Sequence, residues 1–365
     1  MNICIIGGGL TSLSLAKNLL NKKINVHFYH KNKTEDLSLN RTIGISKNNL
    51  EFFRKEIYKI PEKFFWEIKE IEIYSEKLGK ENLLRFEKDK VNLFYMLKNN
   101  NLYKLLLNKI SKNKYFQKKL IKKNSFYSDL LKKNEYDLII NCNSDNFLSN
   151  KFFSKRINKD YNNLAYTTVI KHKKVENNIA TQIFTKSGPI AFLPISNSET
   201  SIVCSLDIKN RKYNDSEVLG LISKNNPKYQ IEKTNKLGSF KLSSSNLRSY
   251  HHQNILAFGD LLHRIHPLAG QGFNMTIRDI KVLSEIIQNK IDLGLQLDSS
   301  ILSEFEKETK IKNFLFSNSI DFIYEIFNLD KKIESKGFNK ILKVIGKNKN
   351  LTNYFIKLAD KGLNF

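Results

Sequence analysis

Apolar residues along this chain change period several times, and the changes fall in an ordered series. Residues 2–6, NICII, form an apolar run of strand length, followed by Gly7, Gly8 and Gly9. Apolar positions then recur at helical spacing over 10–20, so the segment reads as strand, tight turn, helix. Further strands are predicted at 24–29, 137–140 and 254–258. The last of these runs through Gly259 and Asp260, and a loop rich in Pro and Gly, into a helix over 272–289. Between these segments lie β-like stretches at 163–175, 180–186, 192–195, 201–206 and 236–243, interrupted by a predicted helix over 215–224. After 272 the pattern is helical. One long or kinked helix spans 300–328, and two short amphipathic helices follow at 338–345 and 351–358, with Lys340, Lys343, Lys347, Lys349 and Lys357 in or beside them. The expected class is α/β in an α+β composite, with an inserted β-sheet unit and a helical C-terminal region.

Two of these segments carry candidate chemistry. A strand ending in a GxGxx(G) turn lets the backbone pass close to a pyrophosphate, and the first amides of the next helix point at the anion. Gly7 and Gly9 fit that pattern, Leu10 and Thr11 open the helix, and Ser12 stands at the third-glycine position. A glycine-rich turn that merely joins strand to helix is the alternative reading. At the end of the second strand, where an acid normally accepts from the ribose hydroxyls, the chain has His30, whose neutral ring can accept one hydrogen bond. In the second segment, Asp260 ends a strand and can accept from a sugar-alcohol hydroxyl. The turn Ala269-Gly270-Gln271-Gly272 presents amides and a helix N-terminus suited to the negative edge of a reduced flavin.

The stretch GDLLHRIHPLAGQGFN, 259–274, resembles the signature GDAAHxxHPxAGQGxN, and Arg278-Asp279 follows it. GPIAFLP at 188–194 and Arg41-Thr42-Ile43-Gly44-Ile45-Ser46 resemble two further segments of the same proteins. On these motifs, in this order over residues 1 to about 290, the chain resembles the class A flavoprotein monooxygenases of the para-hydroxybenzoate hydroxylase type, and among them most the ubiquinone-biosynthesis hydroxylases. The resemblance implies a Rossmann-like FAD-binding domain made of residues 1–60, 96–155 and 249–295. It implies a substrate domain of residues 61–95 and 156–248, with the pocket wall at 183–194, and a C-terminal helical region over 296–365. It implies FAD as cofactor and NADH or NADPH as electron donor. Reduced flavin and dioxygen would form a C4a-hydroperoxide that hydroxylates a polyprenylated phenol. The cofactor residues it implies are Gly7, Gly9, Leu10, Thr11, Ser12, His30, Arg41, Asp260, Pro267, Gly270, Gln271, Gly272, Phe273 and Asn274. Pro267 and Gly270 are placed nearest the chemistry, and no side chain is assigned as a general base. Several positions depart from the family. Its mid-chain Asp-Gly pair is replaced by Asn141-Cys142-Asn143-Ser144-Asp145-Asn146, with Asp145 displaced, and Leu261 and Leu262 replace two alanines beside the ribityl chain. With Ser12 and His30, these departures keep two alternatives open. One is a non-catalytic scaffold of a quinone-synthesis complex, and the other a flavin reductase acting on isoprenoid lipids.

Composition narrows the picture only modestly. At 365 residues and 41% hydrophobic content the chain can bury a substantial core, and it has no apolar run of about 18 residues. The first strand leaves no room for a signal peptide, so a cytoplasmic protein is expected. Cys4, Cys142 and Cys204 are widely spaced in apolar surroundings and read as buried free thiols, and neither they nor the histidines show metal-ligand spacing, so no metal is expected. The net charge of +25 has two open readings. In one, lysine fills ordinary solvated positions; in the other, clusters such as Lys118-Lys119, Lys122-Lys123 and Lys132-Lys133 attract an anionic membrane surface, placing the protein peripherally on the inner face of the membrane. No nucleic-acid motif accompanies the charge.

Overall fold

The computed structural model describes residues 1–31, 41–76, 82–87, 92–123, 125–209, 211–267, 270–332 and 348–363. The helix expected at 338–345 lies outside them. Along the chain run β1 (Asn2–Ile6), α1 (Leu10–Asn21), β2 (Asn25–Lys31), β3 (Thr42–Ser46), α2 (Lys47–Phe52), β4 (Trp66–Ile68), β5 (Glu70–Ser75), β6 (Asn82–Glu87), β7 (Phe94–Lys98) and α3 (Asn99–Ile110). Then come β8 (Phe116–Ile121), α4 (Phe126–Lys133), β9 (Leu138–Asn141), α5 (Phe147–Phe152), β10 (Arg156–His172), β11 (Ile179–Phe184), β12 (Pro189–Pro194), β13 (Glu199–Asp207) and α6 (Asp215–Lys224). The remainder is β14 (Ile231–Thr234), β15 (Gly238–Leu247), β16 (His251–His252), β17 (Ile255–Ala257), β18 (His263–Arg264), α7 (Gln271–Asp292), α8 (Ser300–Lys332) and α9 (Lys349–Lys361).

Helices cover the middle of the first sheet, so β1, β9 and β17 are apolar without alternation, while the outer β2 and β8 carry polar residues. Its order is β16-β17-β9-β1-β2-β8, and all its pairings are parallel except the β16–β17 hairpin. Ile3, Ile5 and Ile6 of β1 and Leu138 to Ile140 of β9 are buried against Leu13, Ala16 and Leu19 of α1 and Ile277, Ile280 and Leu283 of α7 in one large core. The chain leaves β1 toward β2 on one side and returns through β9 on the other. The two strands therefore form a switch point, with a crevice at their C-terminal ends.

The second sheet is mainly antiparallel, in the order β18-β15-β10-β13-β12-β11-β5-β6, with β14 added beside β10. One face is closed by α6, where Val218 and Ile222 pack on Tyr166, Ile170, Ile190, Ile202 and Leu206. The predicted limits of α6 match the structure because its start is fixed chemically. Asn214 caps the Glu217 amide and the Glu217 carboxylate returns to the Asn214 amide. By contrast, β10 begins seven residues before the predicted stretch, since the largely polar Arg156–Asp160 pairs with Ser243 to Leu247 ahead of a bulge. A small sheet, β3-β7-β4, links the two layers.

Candidate cofactor site

The two sequence halves meet at the C-terminal ends of β1, β9 and β17. The pairing of Ile3 with Leu138 and of Ile139 with Ile255 brings Gly7, Cys142 and Gly259 out side by side. Gly7 has φ +143° and a Cβ there would stand 2.7 Å from Ser12 Oγ and 3.1 Å from Cys142 Cβ, so only glycine fits the turn. Gly259, at φ +62°, packs directly on α1, since a Cβ would fall 2.7 Å from Thr11 Cγ2. Thr11 and Gly259 are thus the contact that joins the halves, a pairing that their separation in sequence conceals. Ser12 is buried with its hydroxyl toward Gly7, taking up the space that a third glycine would leave open.

Around this junction the backbone is open where a ligand would lie. A Cβ on Gly9 or Gly272 would meet nothing within 4 Å. The hydrogen-bond ladder of α1 starts with Leu13 N donating to Gly9 O, which leaves the amides of Leu10, Thr11 and Ser12 outside it. Neither α1 nor α7 has a side-chain cap or an acidic residue in its first turn, so both positive helix ends remain uncompensated. Gly270, at φ +63°, caps α7, and the buried Gln271 beside it has both amide atoms without a partner among the described residues. An orphaned carboxamide at an open helix N-terminus fits a polar heterocycle edge, and the Gly9 turn fits a pyrophosphate. Asp260 is exposed at the end of β17 beside this opening. On these observations the residues present fit FAD along its phosphate and flavin portions.

The adenosine end is built differently. His30 lies within β2, half-buried, with its Cβ 3.6 Å from where a Gly8 Cβ would stand. Burial lowers its pKa, the bond to Lys31 O opposes this, and the nearby Lys118 lowers it further. The ring is therefore neutral near pH 7 and flanked by positive charge, where an acid would be expected to take the ribose hydroxyls.

Other expected residues are placed as follows. Arg41 is exposed at the head of β3, and its carbonyl accepts from Asn99 N at 3.0 Å. Pro267 and Phe273 are half-buried on either side of the Gly270 turn. Asn274 is committed to the protein: Nδ2 donates to Gly44 O at 2.8 Å, and Oδ1 accepts from Ser46 N at 2.9 Å and Asn49 Nδ2 at 3.0 Å. It clamps β3 to α7. One expectation is corrected, the full burial of Cys142. Leu261 and Leu262 are wholly buried in the main core. Cys142 is half-buried, while Cys4 and Cys204 are buried, and all three are free. In the stretch 183–194, Ile190 and Phe192 face the α6 core, leaving Ala191 and Leu193 on the other face. Asp145 sits exposed in a turn whose Asn141 side chain bonds Asn146 and Ser149, so the missing Asp-Gly pair is replaced by an asparagine–serine network. Sequence reading missed Asp360 of α9, whose carboxylate accepts from Asn48 N at 2.9 Å and from Asn48 Nδ2, and whose carbonyl accepts from Ser46 Oγ at 3.1 Å. No local signal marks that residue.

This architecture is the fold of the flavin-dependent monooxygenases. The p-nitrophenol 4-monooxygenase PnpA of Pseudomonas putida DLL-E4 superposes with a TM-score of 0.75 at 11% identity, covering 98% of each chain. A geranylgeranyl bacteriochlorophyll reductase-like protein of Thermoplasma acidophilum shares the fold at a TM-score of 0.65 and 14% identity, again over 98% of each chain. Residues 160–295 match a family model described as the FAD binding domain. Among curated proteins, the chain is 26% identical over 183 residues to the mitochondrial ubiquinone biosynthesis monooxygenase COQ6 of Dictyostelium discoideum, 40% of this chain and 37% of that protein. It is 29% identical over 154 residues to the 3-demethoxyubiquinol 3-hydroxylase of Escherichia coli strain K12, 40% of this chain and 39% of that protein. The chain thus spans roughly two-fifths of the length of the curated relatives it matches.

Proposed function

We propose that the chain is an FAD-dependent oxidoreductase that hydroxylates the aromatic ring of a polyprenylated phenol in quinone synthesis, using NAD(P)H and dioxygen. The observation that supports this reading is the contact of Thr11 with Gly259, which ties the start of α1 to the segment that leads into α7. The relatives named for ubiquinone biosynthesis supply the substrate class. Bound flavin would supply oxygen activation. The chain's own part is to hold and orient. The amides after Gly9 would take the pyrophosphate, Asp260 the ribityl hydroxyls, and the Gly270–Asn274 turn the flavin's pyrimidine edge, with the Pro267 backbone and Arg41 beside the ring. Asn274 would keep that turn in register with β3. The substrate is insoluble in water, so the basic surface would meet the membrane that presents it.

A second reading, a cofactor-impaired scaffold of a quinone-synthesis complex, is favoured by His30 and its basic surroundings. The visible spectrum of the purified protein, with mass analysis of any released cofactor, separates the two. Stoichiometric FAD, followed by substrate-dependent oxygen uptake with a prenylated phenol, supports the hydroxylase. Protein that stays colourless in excess FAD supports the scaffold. FAD without oxygen uptake, but with reduction of an isoprenoid double bond, would point to a reductase.

A further inference from the structure

The second sheet turns one face toward α6, and its other face is apolar where β5, β11 and β12 lie side by side. Ile71 and Ile73 of β5, Ala180 and Phe184 of β11 and Leu193 of β12 share that face, with Gln182 the polar exception, because side chains alternate along each strand. Against it lies α9. Ile356 and Ala359 belong to one cluster with Met96, Ala180 and Leu193, and Leu358 belongs to another with Leu84 and Phe184. Ile265 and Met275 complete the second cluster and flank the Gly270 turn in the chain, so the apolar track runs from that turn out beneath the helix. The opposite side of α9 is wet, with Asn353, Tyr354, Lys357 and Lys361 exposed. Asp360 ties the helix to the flavin-side layer by accepting from Asn48 N at 2.9 Å. A helix of 13 residues has little stability of its own, so α9 stays in place only while this packing and this aspartate hold it.

We propose that this sheet face is the binding surface for an aliphatic chain, and that α9 is its exchangeable occupant, leaving the face as the chain enters. For the identity of that chain, the prenyl tail of a phenol, the proposal rests on the hydroxylase reading above. The groups that α9 inserts, Ile356, Leu358 and Ala359, are themselves aliphatic, and the side chains they meet are aliphatic or aromatic. A prenyl chain in their place would exchange one set of apolar contacts for another, so the sheet face would stay out of water. Its head group would then lie at the Gly270 turn, where the track begins.

The test uses the full chain and farnesol, a prenyl chain without the ring, kept below the concentration at which it aggregates. Trp66 is the chain's single tryptophan and packs against the cluster of Met96 and Ala180, so its fluorescence reports on binding there. Farnesol should give a saturable change. At saturation, amide exchange over 349–361 should be at least about tenfold faster, while α6 on the opposite face keeps its rate. Asp360→Ala weakens the occupant and should tighten farnesol binding several-fold, and Leu193→Asn should weaken it. Absence of saturable binding, slower exchange in α9 on binding, or an affinity that neither variant shifts would overturn the proposal. None of these readouts involves the flavin, so their outcome is separate from failure of the hydroxylase reading, which missing FAD or missing oxygen uptake would show.

Discussion

Single glycines in this molecule separate what the fold needs from what a ligand needs. Gly259 is required by the backbone itself: its left-handed φ costs an alanine about 1–2 kcal/mol, and the added methyl would press on Thr11. Gly9 has φ −84°, a conformation open to any residue, and a Cβ there would meet no protein atom. Gly9→Ala is therefore expected to change stability by less than about 0.5 kcal/mol while raising the FAD dissociation constant at least about tenfold, because the methyl would occupy the space over the phosphate turn. Paired urea melts and flavin-fluorescence titrations check this. Loss of stability without loss of flavin affinity would mean that the open space is not the phosphate site. Gly259→Ala should lose both.

At the level of elements, α9 is joined to the flavin-side turn by a chain of hydrogen bonds, beside the packing of Leu358 in one cluster with Ile265 and Met275. Asp360 holds Asn48 and Ser46, Ser46 donates its amide to Asn274, and Asn274 bonds Gly44 and Gly270. Asp360→Ala removes the acceptors for Asn48 N and Nδ2, so a loss of about 1–3 kcal/mol is expected. It should appear first as faster amide exchange over 349–361, with α1 and β1 unaffected. Uniform exchange across all three elements would show that α9 is no separate latch. The sequence revealed elements wherever the pattern was local: the isoleucines of β1, the helical spacing of α1, and the limits of α6. It revealed the glycine turns for the same reason. What it concealed was relational. Thr11 meets Gly259 across the fold, and Asp360 lies more than three hundred residues from the asparagine it holds.

For the whole molecule, the question is what a formal charge of +25 does. Much of it is solvated and partly paired, as in Lys159 with Glu325 and Lys241 with Asp160, and such exposed pairs contribute little to stability. A cluster remains around β8 and α4, where Lys118, Lys122 and Lys123 stand exposed, with Lys133 beside them paired to Glu135 at 3.7 Å. No helix among the described residues is long and apolar enough to cross a membrane, and the lysine cluster offers an electrostatic means of attachment. At about 1 kcal/mol for each basic residue near an anionic surface, four lysines would give binding that is measurable at low salt and weak at high salt, because screening shortens the range to less than about 10 Å above 0.1 M. The protein should therefore float with vesicles containing phosphatidylserine in about 50 mM salt and be released by about 500 mM, while ignoring neutral vesicles throughout. Replacing Lys118, Lys122, Lys123 and Lys133 with glutamine should abolish flotation without changing the melting temperature. If flotation persists in that variant, the attachment surface lies elsewhere. If the unmodified protein never floats, the charge is compositional.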